Sequence, residues 1–155
     1  MQEERAAGVE IRDATPADLP AVVAMLADDM LGAARETGVV DAAYLEAFHA
    51  IEAEPNCREL VAVLDGAVVG CFQLNFLPGL GRRGAWRAQI EAVRVAQGQR
   101  GRGVGAVMMA WAIERARERG CAMIQLTTDK RRLDAHRFYR RLGFEATHEG
   151  MKLPL

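Results

Sequence analysis

Hydrophobic and polar positions recur with two different periods along this chain, and each change of period marks an element. Residues 9–12 alternate as a short first strand. Leu19, Val22, Val23, Leu26 and Met30 then recur at helical spacing and predict an amphipathic helix. Thr15-Pro16-Ala17-Asp18 opens it with an N-cap residue, a first-turn proline and an acidic residue closing a capping-box-like pattern, although Pro20 blurs the start. Residues 32–40 read as a loop. Asp41 caps a second helix with Tyr44, Leu45, Phe48 and Ile51 inward, ending before Pro55-Asn56. Residues 60–64 and 67–77 are apolar strands joined by Asp65-Gly66, a strong two-residue hairpin signal. A longer turn through Pro78-Gly79 to Gly84 leads into a strand centred on Ile90.

Downstream, Val104, Val107, Met108 and Trp111 share one face of a helix over 104–119, and Gly120 stands at its C-cap after Arg115, Arg117 and Arg119. Residues 121–127 form the next strand, Asp134 caps a final helix ending at Leu142-Gly143, and residues 144–153 read as a last strand. Three strands in succession make an antiparallel meander, and a helical crossover then delivers a parallel neighbour. The pattern is α/β in the broad α+β sense: one twisted mixed sheet flanked by about four helices, in a single domain over 1–155 with a tail over 1–8.

The chemistry concentrates in residues 89–105. The strand ends in Val93-Arg94-Val95, and a turn bearing Arg100, Gly101, Arg102, Gly103 and Gly105 leads into the helix beginning at Val104. Glycines leave room for backbone N–H groups to close around an anion at a positive helix end, and arginines add charge-assisted donors. No Gly-Lys-Ser/Thr is present, so this is not a P-loop. Gly101, Gly103 and Ala106 match a relaxed dinucleotide fingerprint, but residues 96–100 separate the first glycine from the strand.

Arg100-x-x-Gly103-x-Gly105 after such a strand resembles the acetyl-CoA pyrophosphate loop of the GNAT superfamily of N-acetyltransferases. Ala135-His-Arg-Phe-Tyr-Arg-Arg-Leu-Gly-Phe144 resembles that family's second signature, a tyrosine-bearing helix followed by Leu-Gly-Phe, and residues 11–19 are a typical start. The resemblance implies the GNAT fold, acetyl-CoA as cosubstrate and a primary amine as acceptor, a small molecule in preference to a protein. It also implies a pantetheine arm between residues 93–95 and 124–127, with Val93 and Val95 alongside it and Val104 in the phosphate turn. Glu91 occupies the place of the family's proton-relaying glutamate, the Val93 main-chain N–H that of the thioester-oxygen donor, and Tyr139 that of the acid which protonates the departing sulfur. The residues themselves leave alternatives open. Strand alternation puts Gln89, Glu91 and Val93 on one face, where Glu91 could instead pair with Arg94 or Arg87. Burying a carboxylate idly among Ile, Ala and Val would be costly. Tyr139 flanks an Ala135, Phe138, Leu142 stripe and could be a core aromatic. Arg132, where many relatives of that family carry asparagine, could serve a CoA phosphate or belong to a solvated basic loop with Lys130 and Arg131. The Arg82–Arg87 cluster with Trp86 could bind an anionic part of the acceptor or form a solvated turn.

Composition narrows the context. Net charge is −1, which advertises neither nucleic acid nor an anionic membrane as partner. No apolar run reaches the roughly 20 residues of a spanning helix. Cys57, Cys71 and Cys121 are scattered without C-x-x-C, and the three histidines lack metal spacing, so cytoplasmic residence and no metal are expected. The family resemblance carries a homodimer as its oligomeric expectation. Two rivals remain: a non-catalytic acyl-CoA-binding sensor or regulatory module, and a nicotinamide-dinucleotide protein using Asp129 for a ribose.

Overall fold

The computed structural model describes residues 6–29 and 31–155. The chain divides into two compact units, one ending at Gln125 and the other running from Leu126.

The first unit is built on a sheet whose strands lie in chain order: β1 (Glu10–Asp13), β2 (Cys57–Leu64), β3 (Ala67–Leu77), β4 (Arg87–Val95) and β5 (Met123–Leu126). The first four are antiparallel neighbours, as the meander predicts. Asp65 and Gly66 both adopt positive φ, 50° and 77°, the pair of left-handed residues that a tight hairpin with right-twisted strands requires. Leu64 and Ala67 close the ladder beside them.

Each sheet face carries its own core. On one, Phe72, Leu74, Phe76, Ala88 and Ile90 are buried beneath α4 (Val104–Glu118), which contributes Val104, Met108, Met109 and Ala112. Trp111 meets Phe72 edge to face at 6.1 Å, and Arg58 and Arg115 lie over its ring at 5.2 and 5.1 Å. Arg119 lies over both Phe76 and Trp86 at 5.0 Å and donates to Asn56 Oδ1 at 2.6 Å. Arg58 comes from β2, while Arg115 and Arg119 sit at the C-terminal end of α4, where the helix dipole favours positive charge. On the other face, Leu19, Val22 and Met25 of α1 (Leu19–Ala27) and Phe48 of α2 (Ala42–Ala53) pack with Val61 and Cys71.

The start of α1 is fixed by polar groups. A 3-10 turn, Pro16–Asp18, precedes it; Asp18 accepts from Thr15 N at 2.7 Å and takes a two-pronged contact from Arg12 at 2.7 and 3.0 Å. The Arg12 guanidinium and the Thr15 donors hold the Asp18 carboxyl down at about 2. Asp41 caps α2 by accepting from Tyr44 N.

Several expectations are corrected. Leu45 is exposed; the inward direction of α2 is carried by Phe48, while the Tyr44 hydroxyl donates to Glu36 Oε2 at 2.5 Å. Met30 and residues 1–5 of the expected tail lie outside the described residues. In the second unit, α5 (Leu133–Arg141) begins two residues early, so Asp134 sits inside its first turn, ion-paired with Arg137, and does not cap it. Residues 144–153 form no strand. Alternation can suit a pleat but cannot supply a ladder partner; residues 145–155 are all exposed, and Phe144 N closes α5 by donating to Tyr139 O at 3.1 Å.

The tightest point of the fold is Gly70 on β3. A Cβ there would stand 2.5 Å from Met108 Sδ and 3.2 Å from Arg94 O. Met108 is fully buried and has nowhere to retreat. Gly70→Ala is therefore expected to cost about 1–3 kcal/mol of unfolding free energy, read as a lower urea midpoint at unchanged m-value.

Candidate active site

The alternation of three neighbouring strands lays out a small grid on the face shared with α1 and α2. Val61, Cys71 and Arg94 oppose one another in the first row, Glu59, Gln73 and Glu91 in the second, and Cys57, Asn75 and Gln89 in the third. The first row joins the apolar cluster under α1, apart from Arg94, which is ion-paired with Asp29 at 3.0 Å. The other rows are polar. Gln73 Nε2 donates to Asn75 Oδ1 at 2.9 Å, Gln89 Nε2 to Glu91 Oε1 at 2.8 Å, and Gln125 Nε2 of β5 to Gln89 Oε1 at 2.9 Å.

Arg94 appears in that grid because β4 is bulged. Three steps along β4, from Glu91 to Arg94, oppose two along β3, from Gln73 to Cys71, and Ala92 takes φ of 51°. Beyond Glu91 the alternation therefore resets: Arg94 replaces Val93 on the face that carries Glu91. This corrects the simple alternation expected from sequence. A bulge takes main-chain groups out of the regular ladder, here at Ala92 and Val93. The sequence holds no signal for it, since alanine has no preference for the left-handed region.

Glu91 lies at the bulge, exposed and held by Gln89. The argument that it must be buried among Ile, Ala and Val fails: its side chain stands on the polar face. A second carboxyl on this face, Glu59, lies two strands away and is half-buried. The adjacent charges Arg58 and Glu59 in the otherwise apolar Cys57–Leu64 strand were the available signal. Desolvation pushes the Glu59 pKa from an ordinary 4.5 up to about 7.

After Val95 the chain enters the phosphate-type turn. Its left-handed positions are Gly98, Gly101 and Gly103, at φ of 86°, 76° and 83°, while Gly105 lies within the first turn of α4. The need for glycine at 98 and 101 is conformational, for added Cβ atoms there would meet open space. Left-handed residues at the head of a 15-residue helix are a backbone form that can offer N–H groups to an anion. Val104 seals the turn to the core. Arg100 braces it: Nε donates to Val95 O at 3.1 Å and Nη2 to Asp28 O at 3.3 Å, with Asp28 Oδ2 at 3.6 Å. Arg102 is exposed. Arg100 thus ties the turn to the end of β4 and to Asp28.

Glu91, Val93, Val95 and the turn through Gly105 thus belong to the first unit, and Tyr139 to the second. Tyr139 is half-buried on α5, its ring meeting Phe138 at 5.2 Å and Phe144 at 5.8 Å. Asp129 takes three contacts from Arg131 at 2.9 Å, which hold its pKa well below the carboxylate range and commit it within its own loop. Arg82 and Arg83 of the single turn α3 (Gly81–Gly84) are left-handed and exposed, while Trp86 belongs to the Arg119 stack. Burial pushes the Cys71 thiol up to about 12, so it stays protonated. Among the described residues no group of three His, Cys, Asp or Glu side chains could hold a metal, and no helix is long and apolar enough to cross a membrane.

Comparison with known proteins adds a consistent set of likenesses. The pattern of the acetyltransferase (GNAT) family matches residues 22–144. The aminoalkylphosphonate N-acetyltransferase of Salmonella typhimurium is 32% identical over 139 residues, covering 90% of this chain and 86% of that protein. Streptothricin acetyltransferase of Streptomyces lavendulae is 36% identical over 94 residues, 59% of this chain and 46% of that one. Among solved structures, a transcriptional regulator from Bacillus halodurans C-125 superposes with a TM-score of 0.92 at 49% identity, covering 95% of this chain and 99% of that one.

The Glu59 carboxyl has a signature that can be measured without substrate. Its folded pKa exceeds its unfolded one, so the folded state binds the extra proton between about pH 4.5 and 7 and loses stability across that window as pH rises. Glu59→Gln removes the penalty. The variant is expected to gain on the order of 2–3 kcal/mol over wild type at pH 8, several degrees in melting temperature, and far less at pH 4.5.

Proposed function

From the premise that this chain belongs to the acetyltransferase (GNAT) family and is an acetyltransferase, we propose that it moves the acetyl group of acetyl-CoA onto the primary amine of a small molecule by direct attack on the thioester. The observation that carries the reading is the conjunction of a bulge at Ala92 with a left-handed glycine turn one residue past the end of the same strand. The turn suits the pyrophosphate of CoA. The bulge suits the reacting carbonyl, whose developing negative charge needs a main-chain donor that the ladder has not consumed. Val93 N–H is that donor in our reading, and Val95 lines the strand toward which the pantetheine arm leads.

An alkyl ammonium of pKa ~10.4 is neutral about once in 2,500 molecules at pH 7, a penalty of roughly 4.6 kcal/mol. Glu91, exposed beside the bulge and oriented by the Gln125–Gln89 amide chain, is placed to receive the ammonium proton through water. The N–C bond then forms as the carbonyl π electrons move onto oxygen. Collapse breaks the C–S bond, and the sulfur takes a proton from Tyr139. Between an ordinary phenol of pKa ~10 and a thiol near 8.5 this transfer is uphill by about 2 kcal/mol, and it is completed when the tyrosinate takes the second proton shed by the new amide nitrogen. The products are an N-acetyl amide and CoA. Residence in the cytoplasm and assembly as a homodimer belong to the same proposal.

A second reading has one observation in its favour: the Bacillus halodurans relative, at 49% identity, is described as a transcriptional regulator. On that reading the chain binds acyl-CoA without turning it over. Thermal unfolding and turnover separate the two. Acetyl-CoA or CoA at about 100 times Kd should add about 2.7 kcal/mol, a shift of several degrees, whereas NAD(H) should add nothing. Release of free CoA with simple amines then marks an enzyme, and its absence a sensor. Because a thiolate departs fairly readily unaided, Tyr139→Phe is expected to lower kcat by ~10²-fold and not 10⁴-fold. Unchanged kcat would remove Tyr139 from the mechanism.

A further inference from the structure

The guanidinium of Arg94 is placed where packing alone calls for an apolar group. Arg94 opposes Cys71 in the row that α1 covers, and its side chain is only 12% exposed. A charge taken that far out of water needs a counter-charge. Asp29, 17% exposed and just past the end of α1, supplies it with Oδ2 at 3.0 Å from Arg94 Nε. A buried ion pair of this kind is weak support for a fold, since apolar residues of similar volume hold such positions at least as well. Its use lies in what it orients.

Both partners reach further. Arg94 Nη1 donates at 2.9 Å to the carbonyl of Val93, the neighbouring residue inside the bulge. Asp29 is itself fixed: Oδ1 accepts from Gly32 N, and the Asp29 carbonyl accepts from Ala33 N at 2.8 Å. A Cβ on Gly32 would collide with Leu26 O, so that turn closes onto the carboxylate only with glycine. The line of contacts therefore runs from the end of α1 through Asp29 and Arg94 to the main chain at 93. One step back along β4 is Ala92, which holds φ of 51° although an alanine is disfavoured there and its side chain is exposed and adds no packing. Something other than residue 92 must keep the bulge in its left-handed form, and the Asp29–Arg94 pair is an anchored charge contact that ends on it.

We propose that Asp29 is a positioning residue for acetyl transfer. Acting through Arg94 and not by contact with either substrate, it holds the Ala92–Val93 bulge in the conformation that presents the Val93 N–H to the thioester oxygen. The proposal rests on the acetyl-transfer reading above, in which that N–H meets the developing charge. The glycine turn is braced separately, by Arg100 on Val95 O and Asp28 O, so the effect belongs to the chemical step and not to the binding of acetyl-CoA.

The test compares the full chain with Asp29→Asn and Arg94→Lys, using acetyl-CoA and either butylamine or 2-aminoethylphosphonate, whichever wild type turns over faster. Asparagine keeps the Oδ1 acceptor for Gly32 N but removes the charge. Lysine keeps the charge but loses the planar fork that reaches both Asp29 and Val93 O. Each substitution should lower kcat about tenfold, and change the KM for acetyl-CoA by no more than about threefold. In an Ala92→Gly background, where positive φ carries no steric penalty, Asp29→Asn should lower kcat by only about threefold or less. A merely structural pair would lower the urea midpoint, leave the kcat of the folded protein unchanged, and be indifferent to residue 92. That outcome, or a loss confined to the KM for acetyl-CoA, would overturn the proposal. The HN–Hα scalar coupling of Ala92 reports φ without any substrate. It should leave its left-handed value in Asp29→Asn, and a coupling that stays the same refutes the proposal. Should no amine turn over in wild type, the acetyl-transfer reading fails, and the coupling still decides whether Asp29 holds the bulge.

Discussion

The close approach of α4 to β3 and β4 is the constraint on which the rest of the first unit depends. Gly70 lets Met108 descend to the sheet, and Val104, Met109 and Ala112 follow it into the core. With the helix pressed that near, the chain leaving β4 has only residues 96–103 in which to reverse and enter α4. A reversal that short needs left-handed residues, and Gly98, Gly101 and Gly103 supply them. The glycine turn at the head of α4 is thus a consequence of packing geometry.

The same sheet serves two purposes because alternation keeps its faces independent. Beneath α4 the face is apolar throughout, and its one aromatic rim, Trp111 with Trp86, is covered by arginines. On the opposite face, apolar packing under α1 stops at the row of Val61 and Cys71. The next two rows are polar, and Asn75 is buried there with Gln73 as its donor. A sheet face that changes character halfway along its strands has a floor built for something polar, and this floor lies on the side that the bulge at Ala92 leaves accessible.

How much of this the sequence discloses depends on what encodes each feature. Periods of 2 and about 3.6 betray β3, α2 and α4 to within a residue or two, and Asp65-Gly66 betrays the hairpin, because those features are set by neighbours in the chain. The ordered pair of Arg100-x-x-Gly103-x-Gly105 and Phe138-Tyr139 betrays the family. What stayed hidden depends on non-local partners. Residues 144–153 alternate like a strand, yet a strand exists only where another edge accepts it. The Ala92 bulge is imposed by the register with β3 and leaves no mark in the residue type. Glu59 and Glu91 look alike as single carboxylates on strands; that Glu59 is the less exposed of the two goes with α2 packing against β2.

That last difference bears on how the site divides its labour. A carboxyl at the edge of solvent can exchange protons with water during turnover, which is what a relay near the thioester must do. Glu91, exposed at the bulge, has that environment, whereas Glu59, on the far side of Gln73, is half-buried. Arg12, Thr15 and Asp18 lock the entry to α1 with charge-assisted bonds, and Phe48 anchors α2 above the apolar row. Two residues of one type, separated by a single strand, thus differ in their exposure to water.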